Sequence, residues 1–203
     1  MKAARFSVAS LALMIATPFA LAAGQMGAQK SRGAGVFLGG GLDGSSIVVY
    51  GDPTVQESGG GVDLTLGYGF SPHWSLYTEL NASQMTAAGG GDYSLAHFDL
   101  GTRVHFRAGP HTVVPFLQIA ITGRATVSHF GGTTNTSSGG GISLGTGLNV
   151  HFTPAVALST AIMWTLGSFD TFKVDDRTFD GSTVVAGSTR VHFGVVWFPQ
   201  SRQ

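Results

Sequence analysis

One stretch of the chain alternates strictly between apolar residues and small or polar ones. Val62, Leu64, Leu66, Tyr68 and Phe70 occupy every second position. Successive side chains of a strand point to opposite faces of a sheet, so this period predicts a strand with one apolar face. The same pattern predicts eight strands, at 33–42, 61–70, 74–82, 94–106, 113–124, 142–152, 156–166 and 184–198.

The N-terminus has the three parts of an export signal. Lys2 and Arg5 are positively charged, residues 6–20 are an apolar run, and residues 20–22 form a small-x-small cleavage site. The run is too short for a membrane anchor, so we expect residues 1–22 to be removed as a signal peptide. The rest divides into a short N-terminal segment (23–32), a barrel (33–198) and a C-terminal tail (199–203).

Composition narrows the class of protein. Charged residues make up 11% of the chain, against about 25% in soluble domains. No apolar run after the signal is long enough for a membrane-spanning helix. The absence of cysteine excludes disulfides and thiol chemistry. Without Lys2 and Arg5, 9 basic and 11 acidic residues remain, so we expect no nucleic-acid partner.

The segments between the strands fall into two length classes. Three are short and contain proline, at 70–73, 106–111 and 152–154. Four are longer and polar, at 43–60, 83–91, 126–141 and 167–183. Short turns on one side and long loops on the other are typical of outer-membrane barrels. We therefore predict an all-β fold, an eight-stranded antiparallel up-and-down transmembrane β-barrel.

A soluble barrel with its apolar residues inside is the alternative, and two features argue against it. The polar residues of the alternation are mostly Gly, Ser and Thr, which make a poor water-facing surface. Aromatic residues collect at the strand ends, as in the girdles at membrane interfaces. The expected girdle is Phe70, Trp74, Phe106, Phe152, Trp197 and Phe198 at the short-turn end, with Trp164 and Tyr93 nearer the other end. The expected lipid-facing set is Val62, Leu64, Leu66, Leu76, Leu100, Val104, Ile119, Ile121, Leu144, Leu148, Leu158, Ile162 and Val195.

Three segments carry a family resemblance: 35–41 (GVFLGGG), 114–117 (VPFL) and 191–198 (VHFGVVWF). Together with the strand arrangement, they resemble the small OmpA-type outer-membrane β-barrel domains, the eight-stranded porin-like proteins of the Gram-negative cell envelope. The resemblance implies a monomer in the cell outer membrane, in contact with outer-membrane lipids and lipopolysaccharide. It also implies that the barrel-assembly machinery recognises the C-terminal strand, although residues 199–203 follow its final aromatic, Phe198.

Six charged residues fall on the inward face, and these are Asp63, Glu79, Asp99, Arg103, Arg124 and Arg190. The interior of an eight-stranded barrel is just filled by side chains, so buried charges there need partners. We expect an internal salt-bridge network around Arg103, involving Glu79 and Asp99. Such a network either gates a narrow water path or forms a structural plug, and we favour the plug.

Four histidines are also expected inside: His97, His105, His151 and His192. Clustered histidines can bind a metal, but hydrogen bonding within the lumen is the favoured interpretation, so we expect no metal and no cofactor.

Three functional classes remain. The favoured one is a structural or surface-interaction protein, which serves envelope integrity or adhesion through long extracellular loops with unknown ligands. The second is a narrow pore for small solutes. The third is a lipid A-modifying enzyme, such as deacylases of the PagL type with their lipid-facing His-x-Ser pair. We do not expect the chain to be an enzyme.

Overall fold

A computed structural model describes residues 34–106, 112–175 and 177–199 of the chain. The expected signal peptide (1–22), the segment 23–32, most of the turn at 106–111 and most of the tail at 199–203 lie outside these residues.

The described chain forms eight strands that pair antiparallel with their sequence neighbours. Strand β8 also pairs with β1, from Leu38↔Trp197 to Val49↔Ala186, and this pairing closes the barrel. The predicted fold class is therefore confirmed. The strands are β1 (Gly35–Val49), β2 (Val55–Gly69), β3 (Trp74–Thr86), β4 (Asp92–His105), β5 (Val113–Phe130), β6 (Thr133–His151), β7 (Val156–Val174) and β8 (Arg177–Trp197). Among the described residues, no helix is long and apolar enough to cross a membrane.

The prediction of four long loops is wrong. Most residues of these segments continue the strands, and the connections are short, at 50–54, 87–91, 131–132 and 175–176. The polar residues still pair across each hairpin, down to Phe130↔Thr133 next to the β5–β6 turn. Gly131 and Gly132 have φ angles of 57° and 85°, which suit the tight two-residue turn between these strands. We call the strand extensions at 45–59, 83–95, 125–138 and 167–186 the collar.

The apolar side of the alternation faces outward. All thirteen residues of the expected lipid-facing set are exposed or half-buried, with Ile121 at 66% and Val62 at 57% exposure. The opposite face points into the barrel and is rich in polar residues. The apolar residues of the alternation therefore do not form the barrel interior, which excludes the soluble-barrel alternative.

The expected aromatic girdle divides into two groups. Six of its members are exposed on the outside, and these are Phe70, Trp74, Phe106, Phe152, Trp164 and Trp197. Phe198 is instead buried inside the barrel, 4% exposed, and its ring lies 5.7 Å from that of Phe37. Tyr93 also points inward, because it alternates in phase with the buried Leu95. Phe198 directly follows the last residue of β8, and its backbone N–H donates to the carbonyl oxygen of Ala155 at 2.7 Å. The alternation of the strand thus continues by one residue, and the ring after the outward Trp197 points inward.

The outward face yields a first prediction. Leu66→Arg places a charge at the centre of the outward apolar run of β2, which extends from Val62 to Phe70, and we expect it to lower the free energy of unfolding by about 2–4 kcal/mol. Denaturant titration of protein refolded into lipid vesicles measures the change. Gln84→Arg, on the outward face of the collar, is the matched control and should have little effect. Equal stability of Leu66→Arg and the wild type would contradict the assignment of this face to lipid.

Candidate functional site

The inward side chains form three layers along the lumen, which is the candidate site. The aromatic layer, at the short-turn end, consists of Phe37, Tyr77, Phe116 and Phe198. The ionic layer, in the middle, contains Asp43, Asp63, Glu79, Asp99, Arg190 and His192. The aliphatic layer, towards the collar, consists of Ile47, Met85, Leu95 and Ala186 with the ring of Phe169.

Arg190 is the centre of the ionic layer. One of its guanidinium nitrogens lies 2.6 Å from Oδ2 of Asp99, and another lies 3.5 Å from Oε1 of Glu79. Glu79 and Asp99 are direct cross-strand partners on β3 and β4, so one guanidinium bridges two carboxylates that would otherwise repel each other. Thr122 donates a short hydrogen bond to Oδ1 of Asp99. The network therefore joins β3, β4, β5 and β8 across the lumen.

The prediction that Arg103 is the centre of this network is wrong. Arg103 pairs in register with Ser75, four positions from the Glu79–Asp99 pair. Its Nε instead donates to Oε1 of Gln118 at 2.9 Å. Its guanidinium carbon lies 4.2 Å from the ring centre of Phe116 and 4.9 Å from that of Tyr77. Arg103 therefore caps the aromatic layer through cation–π contacts.

The structure places the other expected lumen charges inside but apart from Arg190. Nδ1 of His192 lies 2.6 Å from Oδ2 of Asp63. Arg124 donates to the carbonyl oxygen of Ala186 at 2.9 Å, and its guanidinium lies 4.5 Å from the ring centre of Phe169. Asp63 therefore has an imidazole partner, whereas Arg124 is held by a backbone carbonyl and an aromatic ring rather than by a carboxylate.

Sequence reasoning missed Asp43, which it assigned to a loop. This carboxylate is 7% exposed and accepts hydrogen bonds from Ser45 at 2.6 Å and from Ser83 at 3.4 Å. The alternation along β1 does indicate its position, because Asp43 is in phase with the inward Phe37. Continuing the two-residue period beyond the apolar stretch would have found it.

The four expected lumen histidines point inward but do not gather. Nε2 of His97 lies 3.2 Å from the Ser188 hydroxyl, and Nε2 of His105 lies 3.2 Å from the Ser75 hydroxyl. The ring of His151 lies 5.4 Å from that of Phe198. Within the described ranges, no group of three or more metal-ligating side chains is placed to hold an ion.

Two glycines make room for the aromatic layer. A Cβ atom at Gly67 would lie against the ring of Phe37, and one at Gly147 would lie against the ring of Phe116. Each glycine is the direct cross-strand partner of its phenylalanine on the adjacent strand, so each ring lies over a position that has no side chain. Gly67 and Gly147 therefore leave room in the lumen for two rings of the aromatic layer.

The ionic layer leaves almost no free space. The cavity between Glu79, Arg103, Gln118 and Arg190 has a volume of about 10 Å³. That is at the lower limit for holding one water molecule. The aromatic layer lies on one side of the ionic layer and the aliphatic layer on the other. Side chains therefore fill the lumen through the middle of the barrel.

An open cup lies above the aliphatic layer, within the collar. It has a volume of about 480 Å³, and its lining includes Val49, Phe172 and Val184. Glu57 and Tyr93 also line it, and the Tyr93 hydroxyl donates to Oε2 of Glu57 at 2.6 Å. Burial and the Glu57 carboxylate raise the pKa of Tyr93, so its hydroxyl remains a donor at neutral pH. No sequence pattern indicates this cup.

Two serine patterns share the spacing of hydrolase motifs, and sequence reasoning overlooked both. Residues 141–145 (GISLG) fit the Gly-x-Ser-x-Gly pattern, but Ser143 is fully buried within β6 rather than on a strand-to-helix turn. His73 and Ser75 have the His-x-Ser spacing, but Ser75 is buried in the lumen while His73 is exposed in the turn. Neither serine lies on the lipid-facing surface, and neither gives positive support for catalysis.

Comparison with known proteins gives one family match and several similar folds. The family model described as "Outer membrane protein beta-barrel domain" matches residues 6–197. Neisserial surface protein A has a TM-score of 0.61 and 16% identity, over 81% of this chain and 97% of that one. OprG from Pseudomonas aeruginosa has a TM-score of 0.53 and 12% identity, over 83% and 97%.

A third similar structure is Ail, the attachment invasion locus protein of Yersinia pestis. It has a TM-score of 0.50 and 13% identity, over 81% of this chain and 99% of that one. No curated protein matches the chain in sequence. At identities this low, the likeness to these structures shows the fold alone.

The Arg190–Asp99 pair yields a second prediction. Asp99→Leu leaves a buried guanidinium without its closest partner and should lower the free energy of unfolding by about 3–5 kcal/mol. Adding Arg190→Met removes the uncompensated charge, so the double variant should regain part of the loss. Denaturant titrations of both single variants and the double variant, refolded into lipid, form the thermodynamic cycle. Strictly additive losses would show that the two side chains are not coupled.

Proposed function

The chain belongs to the outer membrane protein beta-barrel domain family, and from this premise we propose that it is a surface-interaction protein with a closed lumen. The barrel anchors the chain in the outer membrane, as the OmpA-type resemblance implies. The collar stands beyond the apolar belt as a rigid contact surface for molecules outside the cell. Two of the similar structures carry the names of a surface protein and an attachment protein, which is consistent with this role.

The collar is the observation that carries the proposal. Its strands stay paired up to short connections, so it is a continuous wall rather than a set of long loops. Its outward residues on β1 to β4 are mostly uncharged and polar, and they include Ser46, Gln56, Ser58, Gln84, Thr86 and Ser94. Hydroxyl and amide groups of this kind both donate and accept hydrogen bonds. Such a surface suits contact with carbohydrate, whether in lipopolysaccharide or on another cell.

The packed lumen disfavours the narrow-pore alternative. A water path would have to cross the aromatic layer, the ionic layer and the aliphatic layer in turn. Phe116 in the aromatic layer and Leu95 in the aliphatic layer each have 0% exposure, so no water-sized channel runs beside either side chain.

The closed lumen yields a third prediction. Wild-type protein and Arg103→Ala should both give no current steps in planar bilayer recordings, because the aromatic layer remains packed and the Arg190 network remains intact. Insertion is checked in parallel by the heat-modifiable gel mobility of the reconstituted protein, and a known porin serves as the positive control. Current steps in Arg103→Ala alone would support a gate, and steps in the wild type would support a pore.

The collar yields a fourth prediction. Replacing residues 127–136 with Asn-Gly joins Thr126 and Ser137, which are already paired and lie four positions from the Phe130↔Thr133 pair that flanks the native turn. The change removes the tip of the β5–β6 hairpin and keeps the register and the type of pair beside the turn. Cells producing this shortened variant should lose adhesion to polysaccharide-coated surfaces and fall to the level of cells without the protein. The control replaces only Gly131 and Gly132 with Asn-Gly, which changes the turn but keeps the collar. Equal adhesion of the shortened variant and the wild type would refute the surface-interaction role.

A further inference from the structure

We infer that the cup is a binding site for small molecules that carry a protonated amine on an apolar body. The inference rests on the proposed surface-interaction function, because the collar that would contact outside molecules also forms the walls of the cup. It goes further in naming the chemical class of the ligand and the residues that select it.

The cup is enclosed around its whole circumference. Its lining comes from β1, β2, β4, β5, β6, β7 and β8 and from the turn between β3 and β4. The volume of about 480 Å³ lies within the range of about 300–1,000 Å³ that is usual for small-molecule sites. The cup opens at the collar, on the side away from the short turns. A ligand would therefore enter from outside the cell.

The floor and one wall of the cup are apolar. Ile47 and Phe169 form part of the floor, and both are almost fully buried. Phe172 and Val184 continue the apolar surface up the side formed by β7 and β8. Arg124 lies against the ring of Phe169 from within the barrel, so the floor is supported from below. These residues suit an aromatic or alkyl body that stays in the cup and does not pass through the barrel.

The opposite wall carries negative charge. Oε1 of Glu57 accepts a hydrogen bond from the backbone N–H of Ala88 at 3.0 Å, and Oε2 accepts one from Tyr93. Both contacts are with neutral groups, and Glu57 makes no salt bridge with any described residue. Each carboxylate oxygen can still accept a further hydrogen bond. A positioned carboxylate without a cationic partner favours a ligand that brings one.

The other charged residues near the cup also favour a cationic ligand. Asp92 reaches the lining only at the rim, where its Oδ1 accepts a hydrogen bond from Thr86 on the outward face, so Glu57 is the carboxylate that points into the cup. The lining includes His129 but neither lysine nor arginine. Arg124 is the nearest guanidinium below, but it is 3% exposed and is separated from the cup by the aliphatic layer. An anionic ligand would meet the Glu57 carboxylate and no lysine or arginine side chain in the lining. The cup therefore favours a cation over an anion of the same shape.

Three probes with the same apolar body test the inference: 4-phenylbutylamine, 4-phenylbutanol and 4-phenylbutyrate. Full-length protein in lipid nanodiscs is titrated with each probe, and binding is followed through backbone amide chemical shifts, with empty nanodiscs to correct for partition into lipid. We expect saturable binding of the amine, about tenfold tighter than the alcohol, as one additional charge-assisted hydrogen bond would give. The carboxylate should bind most weakly. Equal affinity for the amine and the alcohol would overturn the role of charge.

Variants locate the site. Glu57→Gln should weaken amine binding to the level of the alcohol and leave alcohol binding unchanged. Ser128→Trp fills the cup and should abolish binding of all three probes, whereas Ser94→Trp, on the outward face of the collar, is the matched control. Amine binding that survives both Glu57→Gln and Ser128→Trp would overturn the site.

The two proposals can fail separately. Absence of probe binding by a wild type that still supports adhesion would end the cup inference and leave the surface-interaction role intact. Tyr93→Phe provides a second variant if Glu57→Gln does not fold. It removes the hydrogen bond that positions the carboxylate, so it should weaken amine binding more than alcohol binding, and equal effects on the two probes would count against the inference.

Discussion

The narrow closed cylinder is the constraint on which the rest of the structure depends. In hydrocarbon every backbone N–H and C=O must be paired, and the β1–β8 pairing achieves this by leaving no free strand edge. With only eight strands, the interior has room for side chains and little else. Each inward group must therefore pack against a neighbour or pair with one. The ring of Phe37 fits because Gly67 opposes it, and Arg190 is tolerated because Asp99 and Glu79 compensate its charge.

This constraint connects the charges of the lumen to the proposed role. The ionic layer lies between two apolar layers, where an uncompensated charge would be costly. Arg190 is the centre of the network because it reaches the carboxylates of Glu79 and Asp99 across the lumen. Arg103, nearer the short turns, meets aromatic rings instead. A lumen packed in this way favours an anchor over a channel, and it provides the cup with a closed floor.

The collar shows where composition misleads. Its segments are rich in Gly, Ser and Thr, which usually indicate loops. Beyond the hydrocarbon, however, the outward face of a barrel meets water and needs no apolar residues, so the apolar alternation stops while the hydrogen-bonded ladder continues. The inward positions keep the two-residue period, which places Asp43 in the ionic layer and Glu57 in the cup. The end of an apolar pattern therefore marks the edge of the membrane rather than the end of a strand.

The sequence by itself determined the fold class, the number of strands, the outward apolar face and the inward position of the six charged residues. These features follow from the two-residue period of a strand, which is a local property of the backbone. Only the tertiary structure decided which charges pair, where the strands end and that the collar encloses a cup. Asp99 and Arg190 are 91 positions apart in the chain, and their contact depends on strand register, barrel closure and reach across the lumen. None of these is encoded in a local pattern, because each arises from the arrangement of all eight strands together.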